Sequence, residues 1–268
     1  MIMAVFGYAA ALGIGLSLGL IGGGGSILTV PILVYLFHID PVKATAYSLF
    51  VVGLTSLAGA YSHARKGNIQ YKTALIFGIP SLIAVFTMRK WVMAAIPVHI
   101  ISFGTRTINK SFLLMMVFAL LMVFASISMI RNKQSNGNEE GDPSGKSYPI
   151  IQLSLQGVMV GLITGFVGVG GGFLIIPSLV LLAGLPMKKA VGTSLMIMTI
   201  SSLLGVMGDM TGKLSIDYPF LGIFSAFAIA GILLGSYLSG FIKDTRLKPA
   251  FGWFVLMMGL FIITRSIL

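Results

Sequence analysis

Apolar residues fill this chain in long unbroken runs, and the runs are parted by short clusters of glycine, proline and charge. In the first part they cover 3–21, 26–37, 44–62, 73–88 and 112–130; in the second, 150–167, 173–183, 190–208, 218–242 and 250–263. A bilayer core about 30 Å thick takes about 20 apolar residues per helical crossing, so most of these runs predict membrane-spanning helices. The second run of each part is too short. Residues 26–38 rise only about 20 Å as a helix, although the four glycines before them, if extended, add about 13 Å. This leaves a broken crossing or a re-entrant hairpin, which differ in whether each part crosses an odd or an even number of times. The stretch 91–105 reads as an interfacial or an additional membrane segment. Residues 131–149 form the one long polar run, a solvent-exposed linker between a first membrane repeat (1–130) and a second (150–268).

The two parts are copies. Shifted by 146 positions, residues 15–59 match 161–205 at 18 of 45 positions without a gap. The matches include Gly15 with Gly161, Gly19 with Gly165, Gly22 with Gly168, Gly24 and Gly25 with Gly170 and Gly171, and Pro31 with Pro177. Further on, Lys43-Ala44 matches Lys189-Ala190, and Ser48-Leu49 matches Ser194-Leu195. A shared apolar composition explains matched Leu and Val, but not a common register of glycine, proline, lysine and serine.

Composition agrees with the run pattern: 56% of residues are hydrophobic, 9% are charged, and the mean hydropathy is +0.99. Soluble domains do not have this usage. The net charge of +11 would suggest nucleic acid in a soluble protein, but here the basic residues sit singly or in pairs at the flanks of apolar runs, so no nucleic-acid partner is predicted. The absence of cysteine excludes disulfides and thiolate ligands or nucleophiles. The first run has no basic residue ahead of it and leads into the glycines, so it is expected to be retained as a helix.

Charge also bears on topology. With five crossings per repeat the copies are inverted, and 11 of the 18 basic residues fall on one side: Arg65, Lys66, Lys72, Arg131, Lys133, Lys146, Lys188, Lys189, Lys243, Arg246 and Lys248. Four crossings per repeat give a near-even split. The sequence therefore predicts an all-α polytopic membrane protein of two inverted repeats, about five membrane segments each, with broken or re-entrant short helices after the glycines. Arg89, Lys90, Arg106 and Lys110 are the misfits, since they fall on the opposite side.

The chemistry lies in the strings "GLSLGLIGGGGSILTVP" from Gly15 and "GLITGFVGVGGGFLIIP" from Gly161. Glycine costs about 1 kcal/mol relative to alanine inside a helix, so a cluster of them breaks it. Non-helical backbone at membrane depth survives only against protein or a watery cavity. The short helix that follows points its free N–H groups and the positive end of its dipole at the break, which favours an anion. Two inverted copies bring two such ends together near the midplane. The predicted substrate-binding set is Gly22, Gly23, Gly24, Gly25, Ser26 and Ser48 from the first copy, with Gly168, Gly170, Gly171, Gly172, Thr193 and Ser194 from the second. Ser26 has a plainer reading as a helix cap, and Gly15, Gly19, Gly161 and Gly165 read as helix-contact glycines of the small-xxx-small kind. No catalytic residue, metal ligand or cofactor is predicted. All seven acids lie in loops, in the linker or at segment ends, which disfavours a cation pump. Lys43 and Lys189 are expected to snorkel to the interface, and His38, His63 and His99 to lie near segment boundaries.

On these residues, and on "KKAVGTSL" from Lys188, the sequence resembles the sulfite exporter TauE/SafE family of bacterial and archaeal membrane proteins. The resemblance implies transport, with export the first choice, of sulfite or a related sulfur oxyanion or organosulfonate across the cytoplasmic membrane. The partners it implies are that anion, the lipid bilayer and a second copy of the chain. One departure is Tyr47 in "ATAYSL", where the second copy has Thr193. Two other readings are a non-transporting membrane subunit and an intramembrane serine hydrolase built on Ser26. The hydrolase lacks a base, since no His, Lys, Asp or Glu lies mid-segment to serve that hydroxyl. A serine-directed fluorophosphonate is therefore expected to leave Ser26 unlabelled by peptide mass spectrometry; stoichiometric labelling would revive the hydrolase.

Overall fold

The computed structural model describes residues 2–23, 25–97, 99–103, 106–131, 150–181, 183–210, 217–239 and 244–267. The first repeat contributes α1 (Ile2–Ile21), α2 (Ser26–Tyr35), α3 (Pro41–Arg65), α4 (Tyr71–Thr87) and α5 (Lys110–Arg131). The second contributes α6 (Ile150–Val167), α7 (Gly172–Leu181), α8 (Met187–Met210), α9 (Tyr218–Leu238) and α10 (Asp244–Ile267). Five of the described helical stretches are long and apolar enough to cross a membrane: Pro41–Arg65, Tyr71–Val92, Ile150–Val167, Met187–Asp209 and Tyr218–Leu238. The chain is a polytopic helical membrane protein. Gly24 and the polar linker 132–149 lie outside the described residues.

Local sequence sets the helix starts. Asp40 caps α3 through its carboxylate, which accepts from the Val42 and Lys43 N–H groups at 2.9 and 3.4 Å, and Pro41 supplies the first helical residue. Asp217 does the same for α9, accepting from Phe220 N–H at 3.1 Å. The stretch 91–105, expected as an interfacial or an additional membrane segment, is not a further membrane-spanning helix among the described residues. A π-helical turn, Met88–Val92, extends α4, a short turn Met93–Ala95 follows, and the chain then forms a two-stranded antiparallel hairpin, β1 (His99–Phe103) with β2 (Arg106–Asn109). This is the one departure from an all-α fold among the described residues. Its physical basis is length: the run between the two basic pairs is too short and too interrupted by Pro97 and Gly104 to cross as a helix.

Helices of one repeat pack on those of the other. α1 lies along α9 and α6 along α4, while α3 meets α8 and α5 meets α10. Glycine sets the first two contacts. A Cβ on Gly15 or Gly19 would strike the backbone of Ala228, Ile232 or Gly235, and one on Gly231 or Gly235 would strike Leu12 or Leu16. The α6–α4 pair repeats the device with Gly157, Gly161 and Gly165 against Phe77, Ser81 and Val85. The helix-contact reading of Gly15, Gly19, Gly161 and Gly165 thus holds. At the centre Gly53 faces Ser202 and Leu203, Gly59 faces Leu195 and Gly205 faces Leu49, so α3 and α8 run antiparallel.

The short helix α2 folds back. Gly25, at the start of α2, lies against Ile14 and Leu18 in the second half of α1, while Phe37, past the end of α2, lies against Gly7. α2 therefore returns along α1 towards the side from which α1 came. The surface is greasy and the interior carries hydroxyls: Leu75, Ile79 and Ile83 line one exposed stripe of α4 and Ile151, Leu155 and Met159 one of α6, whereas Ser26, Thr29, Ser48, Thr55, Ser56, Thr193, Ser194 and Ser202 are fully buried. Such stripes face lipid acyl chains.

These close glycine contacts predict a sharp contrast. Gly161→Leu meets the Ser81 backbone and should destabilise the protein by about 1–3 kcal/mol or abolish its accumulation, because a helix backbone cannot move aside as a side chain can. Gly13→Leu, on the same kind of helix but with nothing near its Cβ position, should leave the melting temperature in detergent unchanged.

Candidate functional site

α1 and α6 end alike. Gly22 N–H donates to the Leu18 carbonyl and Gly168 N–H to that of Thr164, both at 2.8 Å, and at both glycines φ turns positive, +87° and +76°. The second turn stays there, with Gly170 and Gly171 at +72° and +75°. L-residues avoid this region because Cβ meets the carbonyl oxygen, so glycine is required for the chain to leave the helix and turn inward. All the described residues of both turns are buried.

The two turns meet. A Cβ on Gly23 would land on the Gly172 backbone, and one on Gly172 would meet Gly23 Cα and the thioether of Met198. From this contact the chain enters α2 through Gly25, which provides no side-chain cap, and α7 starts at Gly172 itself. Two helix N-termini therefore open into one buried region; Leu28 N–H and Leu174 N–H donate to the Gly25 and Gly171 carbonyls, and the N–H groups ahead of them have no acceptor within their own helix. Of the predicted glycines, Gly22, Gly23, Gly25, Gly168, Gly170, Gly171 and Gly172 belong to this region, and Gly24 lies outside the described residues.

The predicted hydroxyls divide. Ser26 Oγ donates to the Gly23 carbonyl at 2.8 Å and so ties its own loop; it does not cap α2, whose cap position is Gly25. Ser194 Oγ donates to the Val191 carbonyl at 2.8 Å within α8. Thr193 Oγ1 accepts from Gln70 N–H at 2.9 Å, which anchors the loop before α4. Its repeat-related residue Tyr47 does the corresponding work: the phenol oxygen accepts from Asp217 N–H at 2.8 Å, ahead of α9. The exchange of Thr for Tyr thus keeps one function at a longer reach. Ser48, fully buried on α3, has a hydroxyl with no hydrogen-bond partner among the described residues.

Several groups at the turns escaped the sequence reading. Thr164 Oγ1 abuts Gly171 and Ser202 Oγ abuts Gly170, both buried and both unpartnered. Ser202 had a signal, for it is the repeat mate of Ser56, whose buried hydroxyl is likewise unpartnered. Arg89 is the larger omission. It stands on the π-helical turn, 3% exposed, where its Nη1 donates to Asp209 Oδ2 at 3.1 Å and to Thr45 Oγ1 at 3.0 Å, while Nη2 presses on Gly168. The misfit of Arg89 in the charge count was the trace of this buried pair. His63 lies in the last turn of α3, near the segment boundary as expected, and is buried against Gly192. Lys43 and Lys189 are exposed, as snorkelling requires.

Among the described residues this region presents buried backbone N–H groups, hydroxyls and the Arg89 guanidinium paired with Asp209, a set matched to an anion with several oxygens. Comparison with known proteins agrees with a transport role. The chain is 28% identical to a "Probable membrane transporter protein" of Xylella fastidiosa (strain 9a5c), over 94% of this chain and 92% of that protein. It is 29% identical to one from Methanocaldococcus jannaschii, over 93% and 91%, and 27% identical to YdhB of Bacillus subtilis (strain 168), over 88% of each. No solved structure matches. These relatives are named as membrane transporters, not enzymes. The family described as "Sulfite exporter TauE/SafE" matches residues 7–262, and with nearly the whole length covered, the chain belongs to that family of membrane transporters.

Proposed function

We propose that the protein moves sulfite or a related sulfur oxyanion or organosulfonate across the cytoplasmic membrane of a prokaryote, outward in the first instance, and that the anion rests between the two glycine turns. The observation that carries this reading is the buried approach of Gly23 to Gly172, which directs the N-termini of α2 and α7 to a common point. In this reading Gly22 to Gly25, Gly168 and Gly170 to Gly172 offer backbone N–H groups, and Ser48 offers its unspent hydroxyl. Thr193 keeps a hydroxyl proton after accepting from Gln70, whereas Ser26 and Ser194 act by holding the loop and the helix in shape. The family's name supports sulfite; Ser48, Thr164 and Ser202 support an oxygen-rich anion over a bare halide.

The repeats are inverted in this reading. Antiparallel α3 and α8 support it, because repeat-related helices that run in opposite directions belong to halves that cross in opposite senses. The charge count supports it too: of the eleven basic residues assigned to the cytoplasmic side, those on described residues lie at the ends of α3 and α5 and the starts of α4, α8 and α10. The short helices then complete broken crossings, with the glycines covering the depth that ten helical residues leave.

Purified protein should be stabilised by its anion, by about 2.7 kcal/mol at a hundred times Kd. A thermal-shift series with sulfite, sulfate, thiosulfate, taurine and sulfoacetate tests this, and a flat response to all five would defeat the reading. Gly171→Ala places a Cβ against Thr164 at positive φ, a strain of about 1–2 kcal/mol. It should leave folded protein in detergent but remove sulfite uptake by inside-out vesicles. Ser48→Ala removes an unpaired buried hydroxyl, so the melting temperature should hold or rise while the anion's Kd increases about five- to tenfold, on the order of 1 kcal/mol.

A further inference from the structure

Arg89 uses one side of its guanidinium and leaves the other unspent. Both of its protein partners, Asp209 Oδ2 and Thr45 Oγ1, accept from Nη1. Nε and Nη2 are buried without a hydrogen-bond partner among the described residues. A guanidinium has five N–H donors, two of them on Nη1, so three remain on the Nε–Nη2 edge. That edge presents two parallel N–H bonds, the geometry that grips two oxygens of one carboxylate, sulfonate or phosphate group. A pair kept only for folding has reason to satisfy these donors, since each buried, unmade hydrogen bond costs about 1–3 kcal/mol.

The free edge is turned to the glycine turns. Nη2 lies where a Gly168 Cβ would stand, so the glycine that ends α6 also admits the cation. Thr45, which shares the Nη1 side, borders Gly168 as well. Asp209 neutralises Arg89 and offsets the cost of burying it, while occupying none of the edge that faces the turn. Lys110 stands close by, its ammonium bonded to the Met93 carbonyl, and adds positive charge to this end of the region.

Resting on the transport reading above, the geometry points to Arg89 as the residue that recognises the carried anion's charge: its Nε–Nη2 edge binds two oxygens of one sulfur-oxyanion group beside Gly168, while Asp209 and Thr45 hold the guanidinium by Nη1. The class of ligand is thereby narrowed. It must carry at least two oxygens on one centre, as sulfite and sulfonates do; chloride has a single binding point and gains nothing from the fork.

The test is thermal shift and vesicle uptake with sulfite for the wild type, Arg89→Lys and the double variant Arg89→Gln/Asp209→Asn. Arg89→Lys keeps the charge opposite Asp209 but loses the fork; the double variant removes both charges and leaves no buried ion unpaired. Sulfite should stabilise the wild type and chloride should not. Arg89→Lys should melt within a few degrees of the wild type without ligand and bind sulfite at least tenfold more weakly. The double variant should lose the sulfite-induced shift and uptake. A double variant or an Arg89→Lys protein that sulfite stabilises as well as it does the wild type would overturn the assignment and leave Arg89–Asp209 as a structural pair. A chloride shift equal to that of sulfite would overturn two-oxygen recognition. A wild type indifferent to every oxyanion defeats the transport reading itself, a failure distinct from these. Should the double variant not accumulate, Arg89→Lys alone decides the matter.

Discussion

In hydrocarbon a peptide N–H has no water to turn to, and a single unpaired one costs several kcal/mol. Much of this fold answers that constraint at two points where the chain leaves the helix. Gly22 and Gly168 end α1 and α6 by turning the backbone to positive φ, and the exposed peptide groups that follow are enclosed by protein on every side the structure describes. Enclosure requires that neighbouring helices come unusually near. The glycines of α1 and α9, and those of α6 and α4, remove the side chains that would keep those helices apart. One residue type thus breaks the helix where a donor must be free and closes the helix pairs that shield the break from lipid.

Each of the two helix pairs joins one repeat to the other, as does the α3–α8 contact. Neither half buries its own turn alone. The interior that results is richer in hydroxyls than the surface, with Leu75, Ile79 and Ile83 outside and Ser48, Ser56, Thr193 and Ser202 inside. A soluble domain inverts that arrangement.

The repeat and the breaks were legible in sequence because glycine and proline do jobs that other residues do not, and their register therefore shows through an apolar background. The short helices were legible from run length alone. Arg89 was not. Its position beyond the α4 run looks like any membrane flank, and only the approach of Asp209 from α8 and of Thr45 from α3 shows that the cation turns inward. The hairpin of 99–109 was hidden for a different reason: strands of four or five residues are too short for periodicity to separate from loop. The hydroxyls were legible as a set but not in their roles, since a Thr193 that accepts from Gln70 and a Ser48 that meets no acceptor look the same in a string of letters.

Tyr47 and Thr193 show where the internal copy is imperfect. Each reaches from the third helix of its own half to a main-chain amide at the head of a fourth helix in this arrangement, Tyr47 across to Asp217 and Thr193 across to Gln70. In the inverted-repeat reading proposed above, two identical halves that exchanged shapes would give a symmetry-related state of equal free energy, and a carrier at rest would open equally often to either face. A long phenol at one end and a short alcohol at the other make the two ends unequal. A difference of only about 1.4 kcal/mol between the two clasps would shift the resting population tenfold towards one face. The net direction of flux still follows the gradients, but in that inverted-repeat reading this unmatched pair is one of the differences that bias which face waits for cargo.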